Sequence, residues 1–229
     1  HIHANPALLV DMPKIQDKAI VRMEANEVAQ FLDNVEYGNK LSDHQMAYHE
    51  KNKKRDLALL TLMLGTGIRV SECVGLDIQD IDFDYDRIKV VRKGGYEAYV
   101  YFGKEARDAL CDYLEERKDI LAQEGHEKAL FLSSQRKRIS VRSVENMVKK
   151  YASITTPTKK ITPHKLRSTY GTSLYQQTSD IYLVADVLGH KDVNTTKKHY
   201  ADIEDWQRMK AKDAVQLREY WENTTPTDQ

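Results

Sequence analysis

The residues best suited to chemistry lie in one stretch of forty residues, Ile161 to Tyr200, and are His164, Arg167, His190 and Tyr200. His164 and Arg167 are three positions apart, so a helix would place them on one face, one turn from its start. His190 and Tyr200 follow farther along the chain. A helix N-terminus that carries a cation suits a bound phosphate, and a tyrosine can act as a nucleophile. The stretch therefore indicates phosphate chemistry.

Helix start and stop signals predict the elements that would position these residues. Thr162 is a candidate N-cap, and Pro163 fits the first position of a helix. The apolar segment from Ile181 to Leu188 is typical of a short helix, which Gly189 would end. His190 would then lie just beyond the end of that helix. We expect two helices here, with one histidine near the start of the first and the other after the second.

Upstream, the hydrophobic pattern changes from helical to strand-like and back again. Met23 to Val35 and Arg55 to Leu64 have helical spacing, and the second segment is apolar almost all round, which predicts a buried helix. Period-two alternation and turn signals predict a small antiparallel sheet of three strands, at Ile81 to Phe83, Arg87 to Val91 and Tyr96 to Phe102. Helical spacing resumes at 104–121 and 141–151, whereas residues 39–52 begin as a polar loop. The expected fold class is α+β, mainly α-helical with a small three-stranded antiparallel sheet.

Composition limits the classes to which this protein can belong. The chain has 229 residues, of which 41% are apolar and 31% charged, which indicates a globular protein with one large domain or two small ones. No run of eighteen apolar residues and no signal-peptide pattern is present, so we expect no membrane association. Cys73 and Cys111 are too few for a disulfide framework, which favours a reducing, cytoplasmic setting.

The distribution of charge is more informative than its total. The formal net charge is zero, yet basic residues form clusters around the candidate site. Clustered cations favour contact with a nucleic-acid backbone even when the whole chain is neutral. The candidate contacts to DNA are Lys51, Lys53, Lys54, Arg55, Arg136, Arg138, Arg142, Lys159 and Lys160.

Several short motifs, in this order, resemble the tyrosine recombinase (phage integrase) family. They are GTGIRVSE around Arg69, H-x-x-R at His164 and Arg167, L-G-H at His190, and T-T followed by Tyr200. Each motif is weak alone, and the order and spacing of all of them carry the resemblance, which covers Met23 to Tyr200. The resemblance implies the catalytic fold of that family and a set of catalytic residues, namely Arg69, Lys93, His164, Arg167, His190 and Tyr200, supported by Glu72.

The resemblance implies site-specific cleavage and rejoining of DNA through a 3′-phosphotyrosine, with no metal, ATP or other cofactor. Arg69 and Arg167 would hold the non-bridging oxygens of the phosphate, because guanidiniums stay charged and donate bidentate hydrogen bonds. Tyr200 would be the nucleophile. His164 would serve as its base or hydrogen-bond partner, and Lys93, at the tip of a hairpin, would protonate the departing sugar oxygen.

Two departures from the usual family pattern stand out. Ser168 follows Arg167 where many members have a histidine, and His190 and Tyr200 are ten residues apart, one more than in many members. The longer spacing resembles the integrases of conjugative transposons. Asn194 is a candidate N-cap of the helix that would carry Tyr200.

The resemblance also implies how the chain is divided and what it binds. Residues 1–13 are expected to be a linker, 14–205 the catalytic domain and 206–229 a tail helix whose apolar residues dock on a neighbouring copy. Because family members usually have a further DNA-binding domain before the catalytic one, we expect this chain to be a fragment. The expected partners are double-stranded DNA and further copies of the chain, from a dimer to a tetramer, with exchange of the tail.

Three other functions remain open at this point. A type IB topoisomerase-like enzyme would use the same chemistry without strand exchange, and a protein that only binds DNA could keep the fold without catalysis. A metal-dependent nuclease could use some of the eight histidines, although no metal-ligand spacing such as H-E-x-x-H lies near His164 or His190.

Overall fold

The computed structural model describes residues 21–92, 94–190, 193 and 196. Within those residues the chain forms eight α-helices and one three-stranded antiparallel sheet, which confirms the predicted fold class. The helices are α1 (Ala25–Tyr37), α2 (Asp43–Glu50), α3 (Lys53–Thr66), α4 (Val70–Gly75), α5 (Lys104–Lys118), α6 (Val141–Thr155), α7 (Pro163–Thr178) and α8 (Ile181–Leu188). The strands are β1 (Ile81–Asp82), β2 (Arg87–Arg92) and β3 (Tyr96–Tyr101).

Helix α3 lies at the centre of the core. Its side chains are buried on nearly every face, as an apolar pattern without a polar stripe predicts. Helices α1, α5 and α7 pack against it. Helix α3 ends at Thr66, and Gly67 is its C-cap in the left-handed conformation. Arg69 therefore lies three residues after the end of the buried central helix.

The sheet packs one face against the core and leaves the other in solvent. The register pairs Ile88 with Val100 and Arg92 with Tyr96, so β2 and β3 form a hairpin with Arg92 beside its turn. Ile88, Val90 and Val100 are buried, whereas Tyr99 and Tyr101 on β3 are exposed. This alternation follows from the period-two pattern of the sequence.

The segment predicted to begin as a loop at residues 39–52 instead contains a helix, α2. Ser42 accepts a hydrogen bond from the main chain of Gln45, and the Gln45 side chain accepts one from the main chain of Ser42. This reciprocal capping box is the sequence signal that the prediction missed. Elsewhere the predicted helix boundaries were in error by a few residues, because α5 stops at Lys118 and α6 continues to Thr155.

Among the described residues, no helix is both long and apolar enough to cross a membrane. The expected linker at residues 1–13, Lys93, Asn194, Tyr200 and the expected tail helix at 206–229 lie outside the described residues. Val193 and Thr196 are helical.

Candidate active site

Arg69 is positioned by the sharp turn between α3 and α4. It is the N-cap of α4, and Glu72 in the first turn of that helix accepts a 2.8 Å hydrogen bond from the Arg69 main-chain nitrogen. The other carboxylate oxygen of Glu72 accepts from Arg69 Nη1 at 2.7 Å. The Glu72 side chain is only 5% exposed and that of Arg69 is 35% exposed. The buried carboxylate therefore holds the guanidinium from the protein interior, and part of the guanidinium remains open to solvent.

Arg167 lies just over one turn into α7 and is buried. It donates one hydrogen bond from Nη1 to the carbonyl of Gly67, at 2.5 Å, and another from Nη2 to the carbonyl of Leu188. These bonds join three elements that are far apart in sequence. Since Gly67 precedes Arg69 by two residues, the two arginines meet at the same turn.

His190 follows the left-handed residue Gly189, which ends α8 as predicted. Its main-chain nitrogen donates to the carbonyl of Ala185 at 2.9 Å, so the residue is held at the end of the helix. Its ring nitrogen Nδ1 lies 2.8 Å from the hydroxyl of Thr196, a residue that is fully buried. A bond at Nδ1 fixes the orientation of the ring and, with it, the direction of Nε2.

The C-terminal end of α8 is the point where these elements converge. Arg69 Nη2 lies 3.4 Å from the carbonyl of Gly189, and Arg167 binds that of Leu188. Arg92, at the end of β2, donates to the carbonyls of Val187 at 2.9 Å and Asp186 at 3.3 Å. Three guanidiniums thus bind four consecutive carbonyls at the end of the helix that carries a partial negative charge. Arg92 was not among the predicted site residues.

His164 lies at the start of α7, one turn before Arg167, and Thr162 and Pro163 occupy the predicted cap and first helical positions. The Thr162 side chain makes no capping hydrogen bond. His164 is exposed whereas Arg167 is buried, so the helix presents the histidine to solvent and the arginine to the core.

A basic groove of about 680 Å³ lies beside this helix start. Its lining includes Arg142 and Lys149 of α6, Lys159 and Lys160 of the following loop, and Pro163 of α7. Lys159 also pairs with Glu27 at 2.6 Å. The start of α7 and four cations therefore share one groove, a combination that suits an anionic chain.

Residues 21–206 match the model of the phage integrase family. The chain belongs to the phage integrase family. Among curated proteins it is similar to "Tyrosine recombinase XerS" of Streptococcus agalactiae serotype III (strain NEM316), with 41% identity over 188 residues, 80% of this chain and 52% of that protein. The XerS of Streptococcus gordonii is 38% identical over 197 residues, 85% of this chain and 54% of that protein. The chain thus spans about half the length of these relatives.

Solved structures of tyrosine recombinases share the fold. XerA recombinase matches with a TM-score of 0.71 and 24% identity, covering 88% of this chain and 68% of that one. XerH bound to its difH substrate matches with a TM-score of 0.68 and 22% identity, covering 90% of this chain and 57% of that one. The Tn1549 transposon integrase in complex with a circular intermediate DNA matches with a TM-score of 0.62 and 20% identity. The match covers 90% of this chain and 70% of that one. The predicted family and fold are therefore confirmed.

The predicted catalytic residues divide into three groups. Arg69, Arg167 and His190 come together at the end of α8, and Glu72 supports the first of them. His164 lies at the start of α7, next to the basic groove. Lys93 and Tyr200 lie outside the described residues, so their places in the site rest on the sequence pattern.

The predicted DNA contacts do not all lie on an open surface. Arg142, Lys159 and Lys160 line the basic groove, and Lys51 and Arg136 line a second groove between α2 and the loop before α6. Lys53 and Lys54 lie at the start of α3, where Lys53 pairs with Glu50.

Arg55 and Arg138 instead have structural partners. Arg55 is buried, binds both Asp56 and the carbonyl of Leu132, and so belongs to the core. Arg138 binds the carbonyls of Val74 and Leu76 and pairs with Asp77, which ties the loop before α6 to the end of α4. Charge alone could not reveal these partners because, apart from Asp56, they lie 61 residues or more from each arginine. Arg55 and Arg138 are therefore not part of the proposed interface.

Among the described residues, no group of three or more histidine, cysteine, aspartate or glutamate side chains could hold a metal ion.

Proposed function

We propose that this chain is the catalytic domain of a site-specific DNA recombinase that cleaves and rejoins DNA through a covalent phosphotyrosine on Tyr200. The observation that carries the proposal is the convergence of Arg69, Arg167 and His190 at the end of α8, from three separate parts of the chain. Two guanidiniums and an imidazole in one place suit a phosphodiester whose charge grows in the transition state.

In the proposed reaction, the Tyr200 oxygen attacks the phosphorus while the bond from phosphorus to the sugar 5′ oxygen breaks. Arg69 and Arg167 hold the non-bridging oxygens, and His190 donates a hydrogen bond to one of them. His164 accepts the tyrosine proton, and Lys93 gives a proton to the departing oxygen. The phosphotyrosine keeps the energy of the phosphodiester, so a second DNA hydroxyl can reverse the step without ATP. Because the guanidiniums supply the positive charge, the reaction requires no metal or other cofactor.

The binding partner in this proposal is double-stranded DNA, and the structure of the Tn1549 transposon integrase in complex with a circular intermediate DNA supports it. The basic groove beside α7 supports it, since Arg142, Lys159 and Lys160 would contact the backbone next to His164. Lys51, Lys53, Lys54 and Arg136 would extend the interface. Replacing Lys160 with glutamine should make the slope of log DNA affinity against log salt concentration less steep by about 1, because one fewer counterion is released. Lys118→Gln on α5 should not change this slope.

We further propose that residues 14–205 are the catalytic domain and that residues 1–13 are a linker. Residues 206–229 would dock on a neighbouring copy, so that two to four copies assemble on one DNA. A lambda integrase of the same fold has been solved as a dimer bound to a core site, which supports such an assembly. The proposed place of action is the bacterial cytoplasm, on the nucleoid, where the DNA lies.

The decisive test is a DNA substrate in which the released strand is too short to religate, so that the covalent complex accumulates. The chain should form a protein–DNA adduct in excess EDTA, and mapping should find the DNA on Tyr200. Tyr200→Phe should bind the same DNA and form no adduct, whereas Tyr182→Phe, which changes an exposed tyrosine on α8, should form as much as the unmutated chain.

DNA binding with neither cleavage nor an adduct would leave only a DNA-binding role. Cleavage that forms no adduct and stops in excess EDTA would instead favour a metal-dependent nuclease, in which activated water attacks the phosphorus. Exchange of strands between two DNA duplexes separates a recombinase from a type IB topoisomerase, which only relaxes supercoils.

A further inference from the structure

Arg92 connects the β2–β3 hairpin to the end of α8. It is the last residue of β2, paired across the hairpin with Tyr96. Its guanidinium donates to the carbonyl of Val187 at 2.9 Å and to that of Asp186 at 3.3 Å. The two carbonyls lie 94 and 95 residues farther along the chain, so the contact joins two distant parts of the fold.

Gly189 shows how closely the two parts fit. It has a φ of 63°, and a Cβ atom added to it would lie 2.1 Å from Arg92 Nη1 and 2.5 Å from Arg92 Cζ. The guanidinium therefore occupies the space that any side chain at position 189 would need. The left-handed backbone and the close approach both require glycine here.

The same turn is held by the two arginines of the proposed phosphate clamp. Arg167 binds the carbonyl of Leu188, and Arg69 lies against that of Gly189. Arg92 therefore attaches the hairpin to the element that positions the clamp. Lys93, the proposed general acid, is the next residue in the sequence after Arg92, and one peptide bond joins the two.

We propose that Arg92 is a positioning residue for proton transfer to the leaving group. It holds the start of the hairpin turn against the end of α8, and so sets the place of Lys93 relative to Arg69 and Arg167. The inference rests on the proposed function. An error of about 1 Å in the position of a catalytic group can cost about two orders of magnitude in rate, which makes such an anchor worthwhile.

The test compares two DNA substrates that differ in the atom that leaves. One has the normal 5′ oxygen at the cleavage site, and the other has a 5′ sulfur, which departs as a thiolate and needs no proton. Loss of a general acid slows cleavage by about 100-fold or more with oxygen, and sulfur relieves the loss. Lys93→Ala should show this pattern.

Arg92→Ala should also slow cleavage of the oxygen substrate and be rescued by sulfur, but with a smaller loss of rate than Lys93→Ala. We expect adduct formation to fall about 10-fold or more with the oxygen substrate and to stay within about 3-fold of the unmutated chain with the sulfur substrate. Arg92→Gln, which keeps a polar side chain, is the second variant if alanine impairs folding. Arg87→Ala, on the same strand but paired with Asp82, is the matched control and should be unchanged with both substrates.

An equal loss with both substrates would overturn the inference, because a merely structural contact or an impaired fold slows both. Unchanged cleavage of the oxygen substrate by the Arg92 variants would also overturn it, as would a Lys93→Ala variant that sulfur does not rescue. If the unmutated chain formed no adduct with either substrate, the proposed function itself would fail, which distinguishes the two conclusions.

Discussion

Glu72 holds the guanidinium of Arg69, an arginine of the proposed phosphate clamp. Its two oxygens accept from the main chain and from the guanidinium of Arg69, and its side chain is nearly buried. An ion pair in which one partner is buried and also bound by the main chain orients its guanidinium far better than an exposed pair does. Glu72 thus has both a capping role and an orienting role.

We expect Glu72→Gln to slow adduct formation by about 10-fold, because a charge-assisted hydrogen bond is worth about 1.5–3 kcal/mol and the amide keeps only part of it. Rates with a suicide substrate under single-turnover conditions measure the effect. Glu50→Gln is the control, since Glu50 makes an exposed pair with Lys53 at the same i,i+3 spacing. A rate for Glu72→Gln equal to that of the control would refute the orienting role.

His49 is a buried residue away from the candidate active site. Its Nδ1 lies 3.1 Å from the hydroxyl of Tyr151, which donates to Asp56 at 3.1 Å. Burial lowers the pKa of His49 below its ordinary value, and the nearby charge of Lys150 lowers it further. The folded protein therefore holds this histidine neutral at a pH at which the unfolded chain takes up a proton.

The sign of the pH dependence follows from this shift. The stabilisation is fully present above the unfolded pKa of 6.5 and is lost as the pH falls toward the lower folded value. The free energy of unfolding is measured with urea at about pH 7.5 and at about pH 5.5. We expect the loss of stability between the two pH values to be about 1 kcal/mol larger in the unmutated chain than in His49→Gln. His44→Gln, an exposed histidine on the same helix, should keep the full pH dependence. Equal pH dependence in all three proteins would contradict the prediction.

At the scale of elements, the C-terminal end of α8 organises the candidate site. A short helix of eight residues ends in four carbonyls that bind arginines from β2, from the α3–α4 turn and from α7. Guanidiniums are favoured at a helix C-terminus because they satisfy unpaired carbonyls and the negative end of the dipole. The helix therefore works as a common anchor for three elements that approach from different directions.

We expect Gly189→Ala to be more destabilising than an ordinary substitution at a left-handed glycine. Gly125→Ala, at a φ of 81° with open space around it, carries only the backbone strain, about 1–2 kcal/mol. Gly189→Ala should cost about 1–3 kcal/mol more, because the methyl group displaces the Arg92 guanidinium. The free energy of unfolding in urea measures both.

A double-mutant cycle tests whether Arg92 causes the excess. In an Arg92→Ala background, the methyl group meets no guanidinium, so Gly189→Ala should cost no more than Gly125→Ala. An excess that persists in this background would point to strain within the α8 turn rather than to the hairpin contact.

At the scale of the whole molecule, the buried α3 carries the site. It passes through the core and ends at Gly67, where α7 packs closely enough that a Cβ on this glycine would lie 2.4 Å from the Tyr170 ring. Arg69 follows this tight junction, and Arg167 reaches it from α7. Because both arginines depend on the same packed junction, the geometry of the clamp follows from the core rather than from a flexible surface loop.

Assembly on DNA is the prediction that belongs to this scale. If residues 206–229 dock on a neighbour, deleting them should abolish complexes with more than one copy per DNA and lower adduct formation, while a single copy still binds. Deleting residues 222–229 removes no large apolar side chain and is the control. Native gels and adduct yields measure both effects, and unchanged assembly after the longer deletion would rule out docking by the tail.

Much of the site could be predicted from sequence because its signals are local. Pro163 and Gly189 mark helix ends, and the boundaries near these two residues were predicted correctly, whereas α3 continues two residues beyond its predicted end at Leu64. The sheet followed from alternation and turn residues. The missed helix α2 also had a local signal, the reciprocal cap of Ser42 and Gln45. The helix was missed because its sequence is polar and has no apolar periodicity.

The sequence by itself determined the family, the order of the elements and the residue types that can hold a phosphate, because caps, turns, periodicity and motif spacing act over a few residues. Only the tertiary structure decided the partners of the other arginines. Arg55 and Arg92 are both basic residues beside lysines, yet one is buried against Asp56 and the other binds the end of α8. Their partners are set by packing across long stretches of chain, and no local pattern encodes such contacts.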